Sequence, residues 1–456
     1  MLYNNLKTHY TYMNFNFKPL IAFVFLAVAT IGVHGQTSRQ DGLNSNASLD
    51  ELIDYALRNK IELKQAGIDQ EIGEREIASA LSGWFPQISA TGSLSHNLIV
   101  PIANIGGQNI RMGQANNSAL TFQADQAILS PELFQASKAA RYVRQQNDLS
   151  VEDTKINTVV DVSKAYYDIL TSEEQINIID ENILRLQRQY NEAKARYETG
   201  LVDKTDFKRA QISLNNANAE LKSAKEMRKY KYDYMKLLLS MPQGEQITLS
   251  FTNQNMESNI LLDTAELLQV AKRVEFQQLQ TLQEIQRLNT QYQKWNYLPR
   301  LSAYGNYGLN YRNDRFANLY SDNFPASTIG LNLTIPIFQG TKRVQEIKKS
   351  QLQEERLKLD MENLENQIST EYSAAMASYR ANMNEWRNAR ENMDLSEEVY
   401  NTIKLQYDAG VKTYLELMTA ETDLKTAQLN YLNVLYAVLS SKLDIQKALG
   451  TVNTIN

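Results

Sequence analysis

Two stretches of this chain, Glu132 to Thr199 and Thr341 to Ala409, contain neither glycine nor proline. Each is about 70 residues, so as α-helix each would run roughly 100 Å. Helices of that length are not stable in isolation and must lie against neighbours along their whole course. The spacing of apolar residues says how. Val162, Ile169, Ile176, Ile183, Tyr190 and Tyr197 recur every seven positions, and Tyr372, Tyr379, Trp386, Met393, Tyr400 and Tyr407 repeat the pattern 210 positions later. A seven-residue period keeps one seam facing a partner helix, so these aromatic side chains read as packing knobs.

Both stretches stop at a lone glycine, in KARYETGLVDKTDF (Lys194 to Phe207) and in KLQYDAGVKTYLEL (Lys404 to Leu417). A tyrosine stands three residues before each glycine and an acid six after it. Further helical patterns follow, with Ala210, Leu214, Ala217, Leu221 and Ala224 in one copy and Ala420, Leu424, Ala427, Tyr431 and Val434 in the other. Alternating small and large residues suit close antiparallel packing, and glycine tolerates the left-handed conformation that ends a helix. Two long helical hairpins are therefore expected, over 131–241 with a tip near 200 and over 341–450 with a tip near 410.

Six of the eight prolines fall in two windows, 86–131 and 299–336, where the period changes to two. LSAYGNYGLNY from Leu301 and IGLNLTIP from Ile329 alternate apolar with small or polar residues, FPQISATGS resembles LPRLSAYGN, and ALTFQADQAIL from Ala119 precedes the helix-starting pair Ser130-Pro131. Each window is expected to be a two-stranded hairpin, with strands over about 87–129 and 300–338. The pattern fits an outer-membrane barrel, and it also fits a half-buried soluble sheet. Four strands cannot close a membrane barrel, so a barrel needs several chains. The loops Ile99–Asn116 and Arg312–Pro325 are expected to face outside and, from their glycine and asparagine content, to be mobile.

Residues 1–35 are expected to be an export signal, with Lys7 and Lys18 ahead of or flanking the apolar stretch Pro19 to Val33; Met13 offers an alternative start. A membrane anchor is the competing reading, but the apolar run is short for a span. There is no cysteine, which excludes disulfides, thiol catalysis and thiolate metal sites. His96 is the one histidine outside the signal, and it reads as structural; multi-histidine zinc sites and histidine-based triads are unavailable. The formal charge of −5 is spread along the chain without a basic block, so nucleic acid is not an expected partner. No cofactor or metal is expected, and no set of catalytic residues is recognisable.

Over essentially its whole length after the signal, in both repeats, the sequence resembles the TolC family of outer-membrane efflux proteins. LDIQKALGTVN (Leu443 to Asn453) is similar to that family's C-terminal helix ending, IPIFQG from Ile335 to its strand-to-helix junction, and TGLVDKTD and AGVKTYLE to its two tip turns. The resemblance implies two structural repeats, 36–243 and 244–456, in a mainly α chain with a membrane β-barrel portion. It implies a homotrimer: a twelve-stranded β-barrel among outer-membrane lipid, continued by a twelve-helix α-barrel across the periplasm. The duct would be passive, closed at its periplasmic tip, and opened by a periplasmic adaptor and an inner-membrane pump. By the same resemblance Tyr407 and Lys412 match gate positions that bridge to the first hairpin, where Thr205 and Asp206 stand at the partner positions. Lysine occupies 412 where the family's best-known member has arginine, which implies a looser link. Glu416 matches an aspartate whose three copies ring the constriction and favour cations, while the next aspartate of the family is Thr419 here. Gly200, Leu201, Val202, Gly410 and Val411 are the expected adaptor-contacting turns. The alternative function is an exported structural or adhesive coiled-coil protein, for which the two strand pairs have no use.

Overall fold

The computed structural model of the chain describes residues 46–200, 203–250, 253–262 and 266–454. The signal expected over residues 1–35, and the tip residues Leu201 and Val202, lie outside the described residues. Helices α1 (Leu49–Asn59) and α2 (Ile61–Leu81) lead into strands β1 (Gln87–His96), β2 (Ile102–Ile105), β3 (Gln108–Arg111) and β4 (Asn116–Leu129), followed by α3 (Pro131–Glu198) and α4 (Lys204–Leu238). A short helix α5 (Asn253–Ser258) and α6 (Val274–Trp295) then lead into β5 (Arg300–Asn313) and β6 (Ala326–Thr334), followed by α7 (Lys342–Asp408) and α8 (Tyr414–Leu449). Among the described residues no helix is long and apolar enough to cross a membrane.

Local chemistry sets the helix ends. Ser130 caps α3 by accepting from the Leu133 amide, with Pro131 in the first turn. Gly450 closes α8 with φ of 68°: its N–H donates to the Lys447 carbonyl and the Thr451 N–H to the Gln446 carbonyl. A Cβ at Gly450 would lie 3.0 Å from the Lys272 carbonyl oxygen, so close packing as well as backbone sign requires glycine there.

Helix α3 packs on α2, α4, α6 and α8, and α7 packs on α6 and α8. Towards the sheet the order is α2, α3, α6, α7; towards the glycine turns it is α4, α3, α8, α7. Val162 and Ile169 of the seven-residue seam are fully buried, in a core shared with Leu52, Met235, Met256, Tyr379, Val438 and Ile445. The edge helices keep apolar side chains exposed, among them Ile212, Met227 and Tyr230 on α4 and Leu395, Val399 and Leu405 on α7.

The four long strands form one antiparallel sheet in the order β1, β4, β5, β6. Registers such as Ile88↔Ala124, Phe122↔Tyr307, Ala303↔Leu331 and Leu301↔Leu333 align the apolar residues of all four strands on one face. Ser89, Thr91, Gln123, Asp125, Ser302, Asn306, Thr328 and Asn332 line the other. Among the described residues nothing covers the apolar face: Ile329 is 89% and Leu331 68% exposed. The first window departs from the expected single hairpin with an open loop. Within the loop expected to be mobile, β2 and β3 pair as a ribbon around Gly106 and Gly107, both at positive φ, the requirement of a tight two-residue turn. Asp314 ties that ribbon to the sheet through Arg111 at 3.0 Å and the Ala115 amide at 2.9 Å. His96 is structural, its Nδ1 sharing a hydrogen bond of 2.7 Å with the Asn116 side-chain oxygen.

The hairpin tips as candidate functional site

At the second tip α7 ends at Asp408, and Gly410 takes φ of 77°. The Gly410 N–H donates to the Tyr407 carbonyl and the Val411 N–H to the Gln406 carbonyl, satisfying two of the orphan carbonyls that end a helix. Thr413 then caps α8 in a capping box: its hydroxyl accepts from the Glu416 amide, and the Glu416 carboxylate accepts from the Thr413 amide at 2.9 Å. The first tip follows the same course, with Gly200 at φ of 74°, Asp203 as cap of α4 accepting from the Thr205 amide, and Asp206 in the first helical turn. The acid six residues after each glycine is therefore the third helical residue, the place where a carboxylate can close a capping box. Glu416 closes it; at the first tip the cap bond comes from Asp203.

The bridge expected from Lys412 to Thr205 or Asp206 is not formed within the chain. Lys412 Nζ donates to Glu416 Oε1 at 2.7 Å, one turn along its own hairpin. This ammonium, with the Thr413 amide and hydroxyl behind it, holds the Glu416 carboxyl far down, at about 2. Asp206 enters no ion pair among the described residues. The short reach decides this: a lysine four residues from an acid across a turn needs no movement of a second hairpin to meet it.

Tyr407 is buried between the hairpins, with Ala193, Ala210, Tyr414, Leu417 and Ala420 in one apolar cluster and the Arg196 guanidinium 5.1 Å from its ring centre. Burial raises its hydroxyl above the ordinary tyrosine value, with Arg196 opposing and Glu192 and Asp206 adding to the rise. Tyr197, its counterpart on the first hairpin, is more exposed and stacks on Phe207 at 5.9 Å. Of the expected site residues the fold thus brings together Tyr407 with the surroundings of Asp206, and Lys412 with Glu416, but not the two pairs with each other.

One group near the tip escaped sequence reasoning. Glu421 is 2% exposed, and its carboxylate accepts from Asn182 Nδ2 and Arg185 Nε, each at 3.0 Å, and from Gln189 Nε2. The signal was present, since Glu421 interrupts the apolar stripe Leu417, Ala420, Leu424 at a position that helical spacing buries. Burial pushes its carboxyl up, against the pull of Gln189, Arg185 and Asn182. No group of three or more His, Asp or Glu suited to holding a metal occurs among the described residues.

Comparison with known proteins places this architecture. The chain is 22% identical over 415 residues to the outer membrane protein TolC of Vibrio cholerae, covering 89% of this chain and 91% of that protein. Its fold superposes on CusC, a transmembrane channel, with a TM-score of 0.74 at 15% identity, covering 91% and 95% of the two chains. It superposes on the outer membrane protein VceC of Vibrio cholerae with a TM-score of 0.72 at 15% identity, covering 88% and 96%. The sequence model of the outer membrane efflux protein family matches residues 52–232 and 267–451, both halves of the chain, and the chain belongs to that family.

Proposed function

We propose that three copies of this chain close into one duct, a twelve-stranded barrel continued by twelve helices, shut at the hairpin tips until a periplasmic adaptor and an inner-membrane pump engage it. As a family member the chain is an efflux duct of the bacterial outer membrane that reaches into the periplasm; it is not an enzyme, and the structural-stalk alternative falls with that. The observation that carries the assembly is the sheet. It has one apolar and one polar face, and among the described residues its edge strands β1 and β6 each have one side without a partner. Hydrocarbon accepts the apolar face but not an open strand edge, so β6 of one copy has to pair with β1 of the next. Polar residues then line the lumen, as a passive conduit requires.

At the closed mouth, Thr205, Asp206, Tyr407, Lys412 and Glu416 of neighbouring hairpins meet, and Gly200, Leu201, Val202, Gly410 and Val411 form the turns that the adaptor grips. Single-channel conductance in planar bilayers tests this. The wild-type duct is expected to carry a small current that rises severalfold in a Lys412→Ala, Asp206→Ala variant, with the oligomer intact in detergent. No channel from either protein overturns the duct.

The Lys412–Glu416 pair gives the mouth a second signature. Each acid is matched by its own lysine, so Lys412→Ala is expected to unmask negative charge and raise cation over anion permeability at neutral pH. Glu416 is depressed in the wild type, so its pairing is complete above the ordinary value of 4.5 and is lost only as pH falls through about 2. In the variant the acid loses its main partner and titrates higher, so the added selectivity should fade between roughly pH 5 and 3 while the wild type shows no step there. Reversal potentials across a salt gradient check both.

A further inference from the structure

Resting on the duct reading above, we propose that a basic cavity where the sheet meets the helices is a binding site for an anionic group, a phosphate, sulfate or carboxylate, on solutes that pass through the lumen. The cavity, of about 300 Å³, is lined by Arg300 at the start of β5, by Thr334 at the end of β6, and by Lys342, Arg343 and Glu346 in the first turns of α7. Arg300 and Thr334 are register partners, two positions from the pair Ser302 and Asn332. Both therefore belong to the polar face of the sheet, the face assigned to the lumen, and the cavity they line adjoins it. Its volume is at the lower end for small-molecule sites, so it takes the charged group of a solute and not a bulky body.

The three cations have no acid of their own. Arg300, Lys342 and Arg343 enter no ion pair among the described residues, whereas Lys349, Arg356 and Lys404 of α7 each meet an acid three or four positions away. Glu346, four residues after Lys342, is held by Lys349 at 3.6 Å. Neutral partners fix the two guanidinium groups. Arg300 Nη2 donates to Asn296 Oδ1 at 3.2 Å. Arg343 Nε donates to Gln339 Oε1 at 3.0 Å and its Nη1 to the Pro336 carbonyl at 3.3 Å, with the guanidinium 4.9 Å from the Tyr297 ring centre. These bonds orient the planar groups without neutralising them, and an oxyanion can accept two parallel bonds from such a group. The first turn of α7 adds to the field, since it carries no acid and Thr341 supplies no side-chain cap. The one acid on the polar face of the four long strands, Asp125, lies four register positions from Arg300, roughly 13 Å at 3.3 Å per residue. Like charges gathered at one cavity repel, and an entering anion relieves that repulsion.

Pyrophosphate, without divalent cations, is the probe. Isothermal titration calorimetry on the full-length protein in neutral detergent is expected to show saturable binding that weakens with salt, and Arg300→Gln, Lys342→Gln to weaken it about tenfold at an unchanged thermal midpoint. Arg343 stays, because its bonds to Gln339 and Pro336 hold the turn before α7. Lys222→Gln, Lys225→Gln removes the same charge from exposed positions on α4 and should bind like the parent. No binding by the parent, or equal loss in both variants, overturns the site. Should the cavity variant unfold, Lys342→Gln alone, whose ammonium makes no hydrogen bond among the described residues, is expected to weaken binding severalfold, and an unchanged affinity overturns the site. In planar bilayers pyrophosphate is expected to reduce the wild-type current near its dissociation constant and to leave that of Arg300→Gln, Lys342→Gln unchanged. Binding without block overturns the assignment to solutes in the lumen, and displacement of pyrophosphate by phosphatidylglycerol added to the detergent would then give the cavity to a lipid headgroup. No current from either protein overturns the duct, and calorimetry alone then decides whether the cavity binds an anion.

Discussion

Replacing Arg273 with alanine is expected to destabilise the protein by roughly 3 kcal/mol, more than any change at the exposed tips. Arg273 is 5% exposed and stands at the start of α6. Its guanidinium grips Glu275 through two bonds of 2.8 and 2.9 Å, reaches Glu371 of α7 at 3.2 Å, and donates to the Ala448 carbonyl in the last turn of α8 at 3.5 Å. Three helices thus end or pass at one buried cation, beside the place where Gly450 packs on the Lys272 backbone. Burial by itself would lower the guanidinium, but Glu275 and Glu371 outweigh it and hold it above its ordinary value. Truncation leaves Glu275 half-buried without its partner, whereas Glu371, 60% exposed, rehydrates, which is why the loss falls at the lower end of the range for broken buried pairs. Arg273→Lys keeps the charge but not the two-bond grip on Glu275, and should lose about half as much. Thermal unfolding followed by helical circular dichroism reads this; equal midpoints for wild type and Arg273→Ala would remove the junction from any account of stability.

The contrast between Arg273 and the seam residues explains what the sequence made legible. Val162 and Ile169 are fully buried because a seven-residue period over an unbroken helix leaves them one face to occupy, and that is a property of the local string. The same holds for Ile329, Leu331 and Leu333, whose alternation fixes their common face before any partner strand is known. Partners are another matter. That β4 pairs with β5, nearly two hundred residues on, follows from the helices that return the chain to the same place, and no period announces it. The β2–β3 ribbon depended on a Gly-Gly pair that composition alone reads as loop.

Charged residues were least legible, for a related reason. A cation finds the nearest carboxylate that geometry offers, so Lys412 takes Glu416 within its own turn instead of Asp206 on the other hairpin. Glu421 does the reverse, because helical spacing turns it inward, where Asn182, Arg185 and Gln189 of α3 donate to it. Resemblance to a family supplies positions, but it does not say which of two reachable partners a side chain takes in this chain. The tip therefore divides into an exposed set of short-range pairs and a buried carboxylate held from the other hairpin.

Leu331→Arg and Asn332→Arg, neighbours in β6, should fail in opposite ways. Leu331 lies on the apolar face opposite Ala303, and Asn332 on the polar face opposite Ser302. If the apolar face meets lipid, an arginine at Leu331 sits near the middle of the strand with no water to receive it and costs about 2–4 kcal/mol, enough to cut the amount of duct recovered from the outer-membrane fraction. Arginine at Asn332 points into the lumen, where its charge stays hydrated; assembly should be near wild type, but a ring of added cations should shift ion selectivity towards anions. Membrane fractionation and planar-bilayer reversal potentials separate the two. Equal recovery of both variants would mean that the exposed apolar face is covered by protein instead of lipid, and the sheet would then have to be read as half of a soluble sandwich. An assembly loss confined to Asn332→Arg would invert the sheet, putting Ile329, Leu331 and Leu333 in the lumen. Because both substitutions introduce the same side chain one residue apart, strand propensity and net charge cancel in the comparison, and only the face differs.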